Sequence, residues 1–242
     1  TGCVTLVLNE GLFDQTSDDD QTTEVEGDAN NDGTRDASED EFIEFFNNSS
    51  EDLNISGYTI FDSNALSSDT PRHVVPANTI IAANSAYVVF GGGTPTGNFG
   101  TAIVQTASSG DLNLTNSGDD IIVKNTLGLT VIDFDSDDLS LNFGDNQSIT
   151  RSPDITGDYV LHTDANADLV YSPGLQVDGT TLSIQDNRLK FDITFYPNPV
   201  KNGFVNINSK TEGTKTIEIY DLTGRLVMST KLSTSILDVS SI

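Results

Sequence analysis

Short runs of β-branched and aromatic residues recur along this chain, and clusters of Gly, Asn, Asp, Ser and Pro separate them. No apolar repeat of 3.6 residues persists, and the runs follow one another too closely for crossover helices between them. This spacing predicts an all-β protein, and a sandwich of antiparallel sheets is the simplest arrangement. Examples of these runs are "CVTLVLNE", "EFIEFFNN", "AYVVFGG", "DIIVKN" and "TVIDFD".

The distribution of charge divides the chain near residue 186. Residues 1–186 contain 32 acidic and four basic residues, a balance of −28, whereas residues 187–242 contain five acidic and seven basic residues, a balance of +2. This shift predicts a domain boundary. Because the segment that spans it is polar and rich in turn formers, we expect a first domain at 1–175, a linker at 176–190 and a smaller β domain at 191–242.

The acidic first part limits the possible partners. Nucleic-acid phosphates and anionic lipids are bound mainly through Lys and Arg, which are scarce here. We therefore expect no nucleic-acid partner and no direct membrane insertion, since no apolar run approaches the roughly 20 residues that cross a bilayer. Carboxylates at this density suit divalent cations, although a solvated acidic surface explains most of them equally well.

Cysteine and histidine are too scarce for a disulfide or a zinc centre. Cys3 is the single cysteine, and the two histidines, His73 and His162, lie far apart in polar sequence. A zinc site needs three or four such ligands. We therefore expect both histidines to be ordinary strand or loop residues. Whether Cys3 is lipidated stays open, and the chain has the pattern of a processed soluble protein.

One acidic stretch, "GDANNDGTRDASEDEF", places oxygen-bearing residues at the spacing of an EF-hand loop. Such a loop uses oxygens at positions 1, 3, 5, 7, 9 and 12, with glycine at position 6, where the chain turns sharply. With Asp28 at position 1, Gly33 falls at position 6. We therefore predict a Ca²⁺ site whose ligands are Asp28, Asn30, Asp32, the backbone carbonyl of Thr34, Asp36 and Glu39.

The sequence around this loop differs from that of an EF-hand. The residues before it have no amphipathic helical face, and "EFIEFFNN" after it has the pattern of a strand. We expect a structural loop between β elements, with Asp40 or Glu41 as alternatives to Glu39 for the last ligand. The alternative is an acidic turn that binds no ion.

The sequence contains no recognisable catalytic motif. It has no G-x-S-x-G and no H-E-x-x-H, and "GGGTPTGNFG" lacks the lysine of a phosphate-binding loop. We expect this glycine-rich stretch to form a long turn between strands. An acidic chain still offers many carboxylate pairs of the kind that hydrolyse glycosides. An extracellular hydrolase, or an accessory module of one, is therefore the alternative to a non-catalytic protein.

Residues 3–175 contain a series of strand motifs in the order "LVLNE", the acidic loop, "DEFIEFFNNSSEDLNISGYTIFD", "RHVVPANTIIAANSAYVVFGGG" and "QSITRSPD". In this order of motifs the segment resembles a bacterial lamin-tail-type domain. The resemblance implies an immunoglobulin-like β-sandwich. It also implies a non-catalytic module of extracellular proteins with a structural or adhesive role.

The last part of the chain contains a short motif, Tyr196, Pro197, Asn198, Pro199 and Gly203, followed by "IYDLTGRLV". In these residues it resembles the C-terminal sorting domain of type IX secretion cargo. The resemblance implies a second, smaller β-sandwich and export across the outer membrane of a Gram-negative bacterium, to the cell surface or the medium. It further implies two partners, the type IX translocon and an outer-membrane shuttle protein. The family's final strands are missing, so we expect the protein to continue after Ile242.

Overall fold

The chain divides into two compact units, Thr1–Ile184 and Gln185–Ile242. Cys3 and residues 183–190 of the predicted linker lie outside the described residues. The computed structural model describes residues 6–16, 25–182, 193–209, 213–221 and 223–240.

The described part of the N-terminal unit is almost entirely strand and loop. Two helices, α1 (Ser63–Ser68) and α2 (His162–Ala165), and a 3₁₀ turn, Ser136–Asp138, interrupt the strands, and neither helix is long and apolar enough to cross a membrane. The strands are β1 (Leu6–Leu12), β2 (Phe42–Asn47), β3 (Leu53–Asn54), β4 (Thr59–Phe61), β5 (His73–Val74), β6 (Ile80–Ile81), β7 (Ala86–Phe90), β8 (Ile103–Thr106), β9 (Ile121–Lys124), β10 (Thr130–Phe134), β11 (Ile149–Ser152) and β12 (Asp158–Leu161).

These strands form a sandwich of two main sheets. The larger sheet has the order β12-β11-β1-β2-β7-β8, the second sheet has the order β10-β9-β4-β5, and β3 pairs separately with β6. Neighbours are antiparallel except β7 and β8, which run parallel. One core fills the space between the sheets, with Phe45 and Tyr87 from the larger sheet and Ile121 and Phe134 from the second. The predicted all-β, immunoglobulin-like sandwich is confirmed.

The outer face of the larger sheet is also buried. Every side chain of β2 and β7 is buried, so neither strand shows the alternation of a sheet with one wet face. On this outer face Phe42 and Phe90 pack in a second apolar cluster with Ala29 and Tyr171, which come from connections between strands. Long connections therefore cover the sheet, and the candidate site lies among them.

A β-bulge in β1 changes the face on which its side chains lie. The pairing of β1 with β2 shifts register between Leu8 and Glu10. Leu8 belongs to the core between the sheets, whereas Leu12 belongs to the outer cluster. An unbroken strand would place both leucines on one face, because side chains alternate with a period of two. The bulge thus turns Glu10 to the outer face, opposite Glu44 of β2.

The C-terminal unit is a second, smaller β-sandwich. Its described strands are β13 (Ile193–Lys201), β14 (Phe204–Ser209), β15 (Lys215–Tyr220), β16 (Leu226–Leu232) and β17 (Ile236–Asp238). One sheet has the order β13-β14-β17, and β15 pairs with β16 in the other. Val205, Ile217 and Leu237 from the two sheets pack in a common apolar cluster.

The N-terminal unit extends further along the chain than the prediction that ended it at residue 175. Leu175 forms a β-bridge with Thr181. Leu182 is buried in an apolar cluster with Phe46 and Ile155. Residues 176–182 therefore belong to the N-terminal unit and not to a linker, because they close part of the apolar outer face of the larger sheet.

Candidate functional site

The acidic loop lies between β1 and β2 and folds around its own side chains. Asp28 accepts hydrogen bonds from the N–H groups of Asp32 at 3.1 Å and Gly33 at 2.8 Å. The Asn30 side-chain oxygen accepts from the N–H of Asp32 at 2.9 Å, and Asp32 accepts from the N–H of Thr34 at 3.0 Å. The structure therefore brings the side chains of Asp28, Asn30 and Asp32 to one tight turn.

Asp40 is buried at the base of this turn. Its two carboxylate oxygens accept hydrogen bonds from the N–H groups of Asn30 at 3.1 Å and Asp36 at 2.7 Å. Burial raises the pKa of Asp40 to about 6, and the negative charges of Asp28 and Asp32 contribute to this shift. The loop thus holds three carboxylates that act on one another electrostatically.

The remaining predicted ligands lie nearer the solvent. Asp36 is exposed, and it accepts hydrogen bonds from the N–H groups of Ser38 and Glu39 at 2.9 and 3.1 Å, which lowers its pKa. Thr34 is exposed too. Within the described part of the chain, no three Asp, Glu, His or Cys side chains are arranged closely enough to hold a metal ion as they stand.

The two alternatives for the last ligand differ in direction. The Asp40 carboxylate faces into the loop, as described above. Glu41 faces away from it, because its carboxylate accepts a hydrogen bond from the N–H of Leu114 at 3.0 Å. Glu41 is therefore not placed to share an ion with Asp28.

The acidic loop rests on the glycines that follow β7. The N–H of Gly91 donates to the carbonyl of Glu41 at 2.8 Å, and the N–H of Gly92 donates to the carbonyl of Glu39 at 3.2 Å. A Cβ at position 91 would lie 1.8 Å from the carbonyl oxygen of Ser38. Only glycine permits this approach of the two backbones. Because residues 91–102 join β7 to β8, the predicted long turn between strands is confirmed.

Gly93 lies next to three of the predicted ligands. A Cβ built on it would lie 2.6 Å from an oxygen of Asp32 and 3.3 Å from an oxygen of Glu39. It would also lie 2.5 Å from the side-chain nitrogen of Asn30, a buried donor that has no hydrogen-bond partner in the structure. The absence of a side chain at Gly93 therefore leaves space where Asn30, Asp32 and Glu39 converge.

Glu10 fastens a distant segment to the larger sheet. This fully buried carboxylate accepts hydrogen bonds from the Ser148 hydroxyl at 2.7 Å, and from the Ser172 N–H and hydroxyl at 2.8 and 2.7 Å. His162 extends the network, with Nε2 at 3.0 Å from the Ser172 hydroxyl and Nδ1 at 2.9 Å from the carbonyl of Leu169. Since a carbonyl can only accept, Nδ1 carries a proton.

Glu44 fastens the same segment two residues further on. Its carboxylate accepts hydrogen bonds from the Asn9 amide at 2.8 Å and from the N–H of Gly174 at 2.5 Å. Burial and the neighbouring charge of Glu10 raise its pKa well above the ordinary value. Both glutamates are fully buried and engaged with protein groups, so substrate cannot reach them, and this carboxylate pair does not support the hydrolase alternative.

Sequence reasoning did not identify Glu10, Glu44 or Ser172. The available signal was the position of each glutamate at the end of, or within, an apolar strand run, "LVLNE" and "EFIEFF". A charged residue in such a run is either solvated on a wet face or paired in the interior. His73 is likewise an interior residue, with Nε2 at 2.8 Å from the hydroxyl of Tyr87.

We expect the stability of the N-terminal unit to fall as pH rises from 5 to 8. Burial is the leading cause that raises the pKa of Glu41 to about 8 and of Asp40 to about 6, and it also raises those of Glu10 and Glu44. At a pH between the unfolded and the folded pKa of each group, the carboxyl group is protonated in the folded chain and ionised in the unfolded chain. Their contribution is therefore complete below about pH 4, the ordinary carboxyl pKa, and is lost as pH rises through the folded values.

Urea unfolding in the presence of a chelator at pH 5, 6, 7 and 8 measures this effect. The midpoint should decrease throughout, and Glu41→Gln should flatten the decrease between pH 6 and 8. Glu51→Gln, at an exposed position, is the control. A midpoint that rises or stays constant with pH would show that these acids are ionised in the folded chain at little cost.

The sorting motif lies on the first hairpin of the C-terminal unit. The Tyr196, Pro197, Asn198 and Pro199 sequence lies within β13. Gly203 follows with Asn202 in the turn to β14, and both have positive φ angles, 72° and 62°. This is the conformation that a two-residue Asn-Gly hairpin turn requires.

The second hairpin joins β15 to β16 through Asp221 and Gly224. The carboxylate of Asp221 accepts hydrogen bonds from the Thr223 hydroxyl at 2.6 Å and from the N–H of Arg225 at 3.0 Å, and these bonds lower its pKa to about 2. The hairpin predicted at Thr223-Gly224 is confirmed.

The C-terminal unit leaves much apolar surface uncovered. A cleft of about 820 Å³ lies between its sheets, lined by Val205, Ile217, Ile219 and Leu237 among others. Phe195, in β13, is 56% exposed, although its type is usually buried. This unit therefore differs sharply from the N-terminal sandwich, whose larger sheet is covered on both faces.

Comparison with known families finds two matches along the chain. A family model described as Lamin Tail Domain matches residues 16–138, and one described as Secretion system C-terminal sorting domain matches residues 194–242. Comparison with curated proteins gives no match. Neither matched domain is enzymatic. The sorting domain implies recognition by the type IX secretion machinery, and it indicates export to the cell surface or secretion from a Gram-negative bacterium.

Proposed function

Because the chain belongs to the Lamin Tail Domain family, we propose that it is an exported, non-catalytic β-sandwich module with a structural or adhesive role outside the cell, stabilised by calcium. The sorting domain makes the chain type IX secretion cargo. An outer-membrane shuttle protein is the partner that we assign to residues 191–242. The N-terminal unit would carry out the structural or adhesive role after export.

The observation that carries the calcium proposal is the turn built by the acidic loop. Asp28, Asn30 and Asp32 face one turn, and the charges of Asp28 and Asp32 act on the buried Asp40. A divalent cation relieves this repulsion, and Ca²⁺ takes six to eight oxygen ligands in a flexible shell. Mg²⁺ fits less well because it demands a tighter octahedral shell.

The residues present are chemically suited to Ca²⁺. A carboxylate oxygen that accepts one N–H keeps a second lone pair, so the backbone bonds of Asp28 and Asp32 do not prevent ligation. Asp36 and Glu39 would have to turn inward from the rim. The ligands would then be Asp28, Asn30, Asp32, the carbonyl of Thr34, Asp36 and Glu39.

The ion would act by fixing the acidic loop to the connection after β7. Asp32 already accepts a hydrogen bond from the N–H of Thr94 at 3.0 Å, and the N–H of Thr96 donates to the carbonyl of Asn30 at 3.0 Å. A ligand that binds only the folded chain raises its stability in proportion to the logarithm of its concentration. Calcium would therefore stabilise both connections together.

Calorimetric titration of Ca²⁺ into chelator-stripped protein tests this proposal, together with the melting temperature. At 100 times the Kd, calcium should add about 2.7 kcal/mol to the free energy of unfolding, or roughly 5–10 °C for a unit of this size. Asp28→Ala and Glu39→Ala should abolish both the heat and the shift, whereas Asp137→Ala, at an exposed acid outside the loop, should retain them. No heat and no shift in the parent chain would mean that the loop is only an acidic turn.

A further inference from the structure

A pocket of about 400 Å³ opens beside the acidic loop, within the N-terminal unit. Three connections form its walls: residues 28–31 of the acidic loop, residues 97–99 before β8, and residues 169–175 after α2. Neither export nor calcium binding accounts for this pocket. Its volume is in the range of small-molecule sites.

The aromatic groups of the pocket are held in place from behind. The ring of Phe99 lies 5.3 Å from that of Phe90, centroid to centroid, and Tyr171 packs against the same buried cluster on the outer face of the larger sheet. Both side chains are therefore supported by the buried cluster on the outer face of the larger sheet. A site whose groups are already positioned loses less conformational entropy when it binds.

The backbone of the pocket wall is fixed by the two buried glutamates. Glu10 holds the N–H and hydroxyl of Ser172, and Glu44 holds the N–H of Gly174. A Cβ at Gly174 would lie 2.4 Å from the carbonyl oxygen of Phe99, so the two walls meet in direct backbone contact. This explains why two carboxylates are buried here: they build a rigid wall.

The chemistry of the lining selects a class of ligand. The residues that line the pocket include the acidic Asp28 and the aromatic Phe99 and Tyr171, and none of them is Lys, Arg or His. The charges of Asp40, Asp28 and Glu26 all act on the phenol of Tyr171. Aromatic faces beside a carboxylate attract organic cations, whereas an anion would be repelled.

We propose that this pocket binds an alkylammonium group between the side chains of Phe99 and Tyr171 and the carboxylate of Asp28. The group belongs either to a small amine or to a lysine side chain of another protein. A neutral apolar ligand is disfavoured because it would cover the carboxylate without providing a counter-charge. The inference rests on the binding role proposed above and makes it specific. Because Asp28 is also a proposed calcium ligand, calcium should compete with the amine.

Titration of choline into the full chain in the presence of a chelator, followed by calorimetry, tests the inference. The matched probe is 3,3-dimethylbutan-1-ol, which has the shape of choline without its charge. Choline should bind at least tenfold more tightly than this alcohol. Asp28→Asn and Tyr171→Leu should each weaken choline binding at least fivefold, and Asp137→Asn should not change it. Circular dichroism checks that each variant is folded.

The source of the ammonium group is distinguished by Nα-acetyl-lysine amide. Tighter binding of this compound than of choline points to a protein lysine, and the reverse order points to a small quaternary amine. Equal affinity for choline and the alcohol, no saturable binding of either amine, or choline binding unaffected by Asp28→Asn would each overturn the inference. Calcium binding without amine binding removes this inference alone, and amine binding that calcium leaves unchanged removes the calcium site alone.

Discussion

Replacing Glu10 with alanine is expected to lower the free energy of unfolding of the N-terminal unit by about 4 kcal/mol. The carboxylate is the acceptor for three buried donors, the Ser148 hydroxyl and the N–H and hydroxyl of Ser172. A buried donor that loses its acceptor costs about 1–3 kcal/mol.

Glu10→Gln keeps a hydrogen-bond acceptor at this position and removes the negative charge, so it tests the two contributions separately. Its amide oxygen can accept from the Ser148 hydroxyl and from the N–H of Ser172, and its NH₂ group can donate to the oxygen of the Ser172 hydroxyl. We therefore expect a loss of only about 1 kcal/mol. Glu51→Ala, at an exposed position, should have little effect.

Urea unfolding at pH 7 measures all three variants. A glutamine variant as unstable as the alanine variant would show that the network depends on the negative charge of Glu10 and not on its accepting oxygens. If the free energy of unfolding of the alanine variant were within about 1 kcal/mol of that of the parent, the hydrogen bonds of Glu10 would not be what holds residues 172–174 to the larger sheet.

Gly91→Ala is expected to destabilise the same unit by about 3 kcal/mol, the upper end of the usual cost of overpacking. The new methyl group would lie 1.8 Å from the carbonyl oxygen of Ser38, so one of the two backbones must move. Neither can do so freely, because Gly91 and Gly92 donate hydrogen bonds to Glu41 and Glu39. The melting temperature should fall by roughly 10 °C.

Gly144→Ala is the matched control. This glycine has no positive φ angle, and the nearest atom to a Cβ there, the carbonyl oxygen of Asn116, would be 3.5 Å away. Its melting temperature should stay close to that of the parent or rise slightly, since alanine restricts the unfolded chain. If Gly91→Ala behaves like Gly144→Ala, the acidic loop does not rest on the glycine segment as described.

The strand runs and turn residues were sufficient to predict the all-β class and the sandwich of the first unit, whereas the second sandwich was implied by the resemblance to the sorting domain. The turn at Thr223-Gly224 could be predicted because local chemistry alone determines such turns. The sequence did not predict that residues 176–182 belong to the N-terminal unit. Their polar composition suggests a linker, whereas in the structure Leu182 is buried with Phe46 and Thr181 forms a β-bridge with Leu175.

The candidate site was predictable only in part. The spacing from Asp28 to Glu39 singled out the acidic loop, because a turn of this kind is local in sequence. The hydrogen bonds of Glu10 and Glu44 with Ser172 and Gly174 join residues more than a hundred positions apart. They depend on the β-bulge in β1, which no local sequence pattern indicates. In a chain with 37 acidic residues, two buried glutamates cannot be told by composition from those that are solvated.

The parallel pairing of β7 with β8 has a consequence for how this domain can diversify. An antiparallel pair can be closed by two residues, but a parallel pair needs a connection of about a dozen, and residues 91–102 provide it here without a helix. Its first residue is fixed by close backbone contact, while Thr94, Thr96 and Asn98 are exposed. The connection therefore acts as a replaceable segment between fixed ends, and new binding specificities can arise there without any change in the sheets.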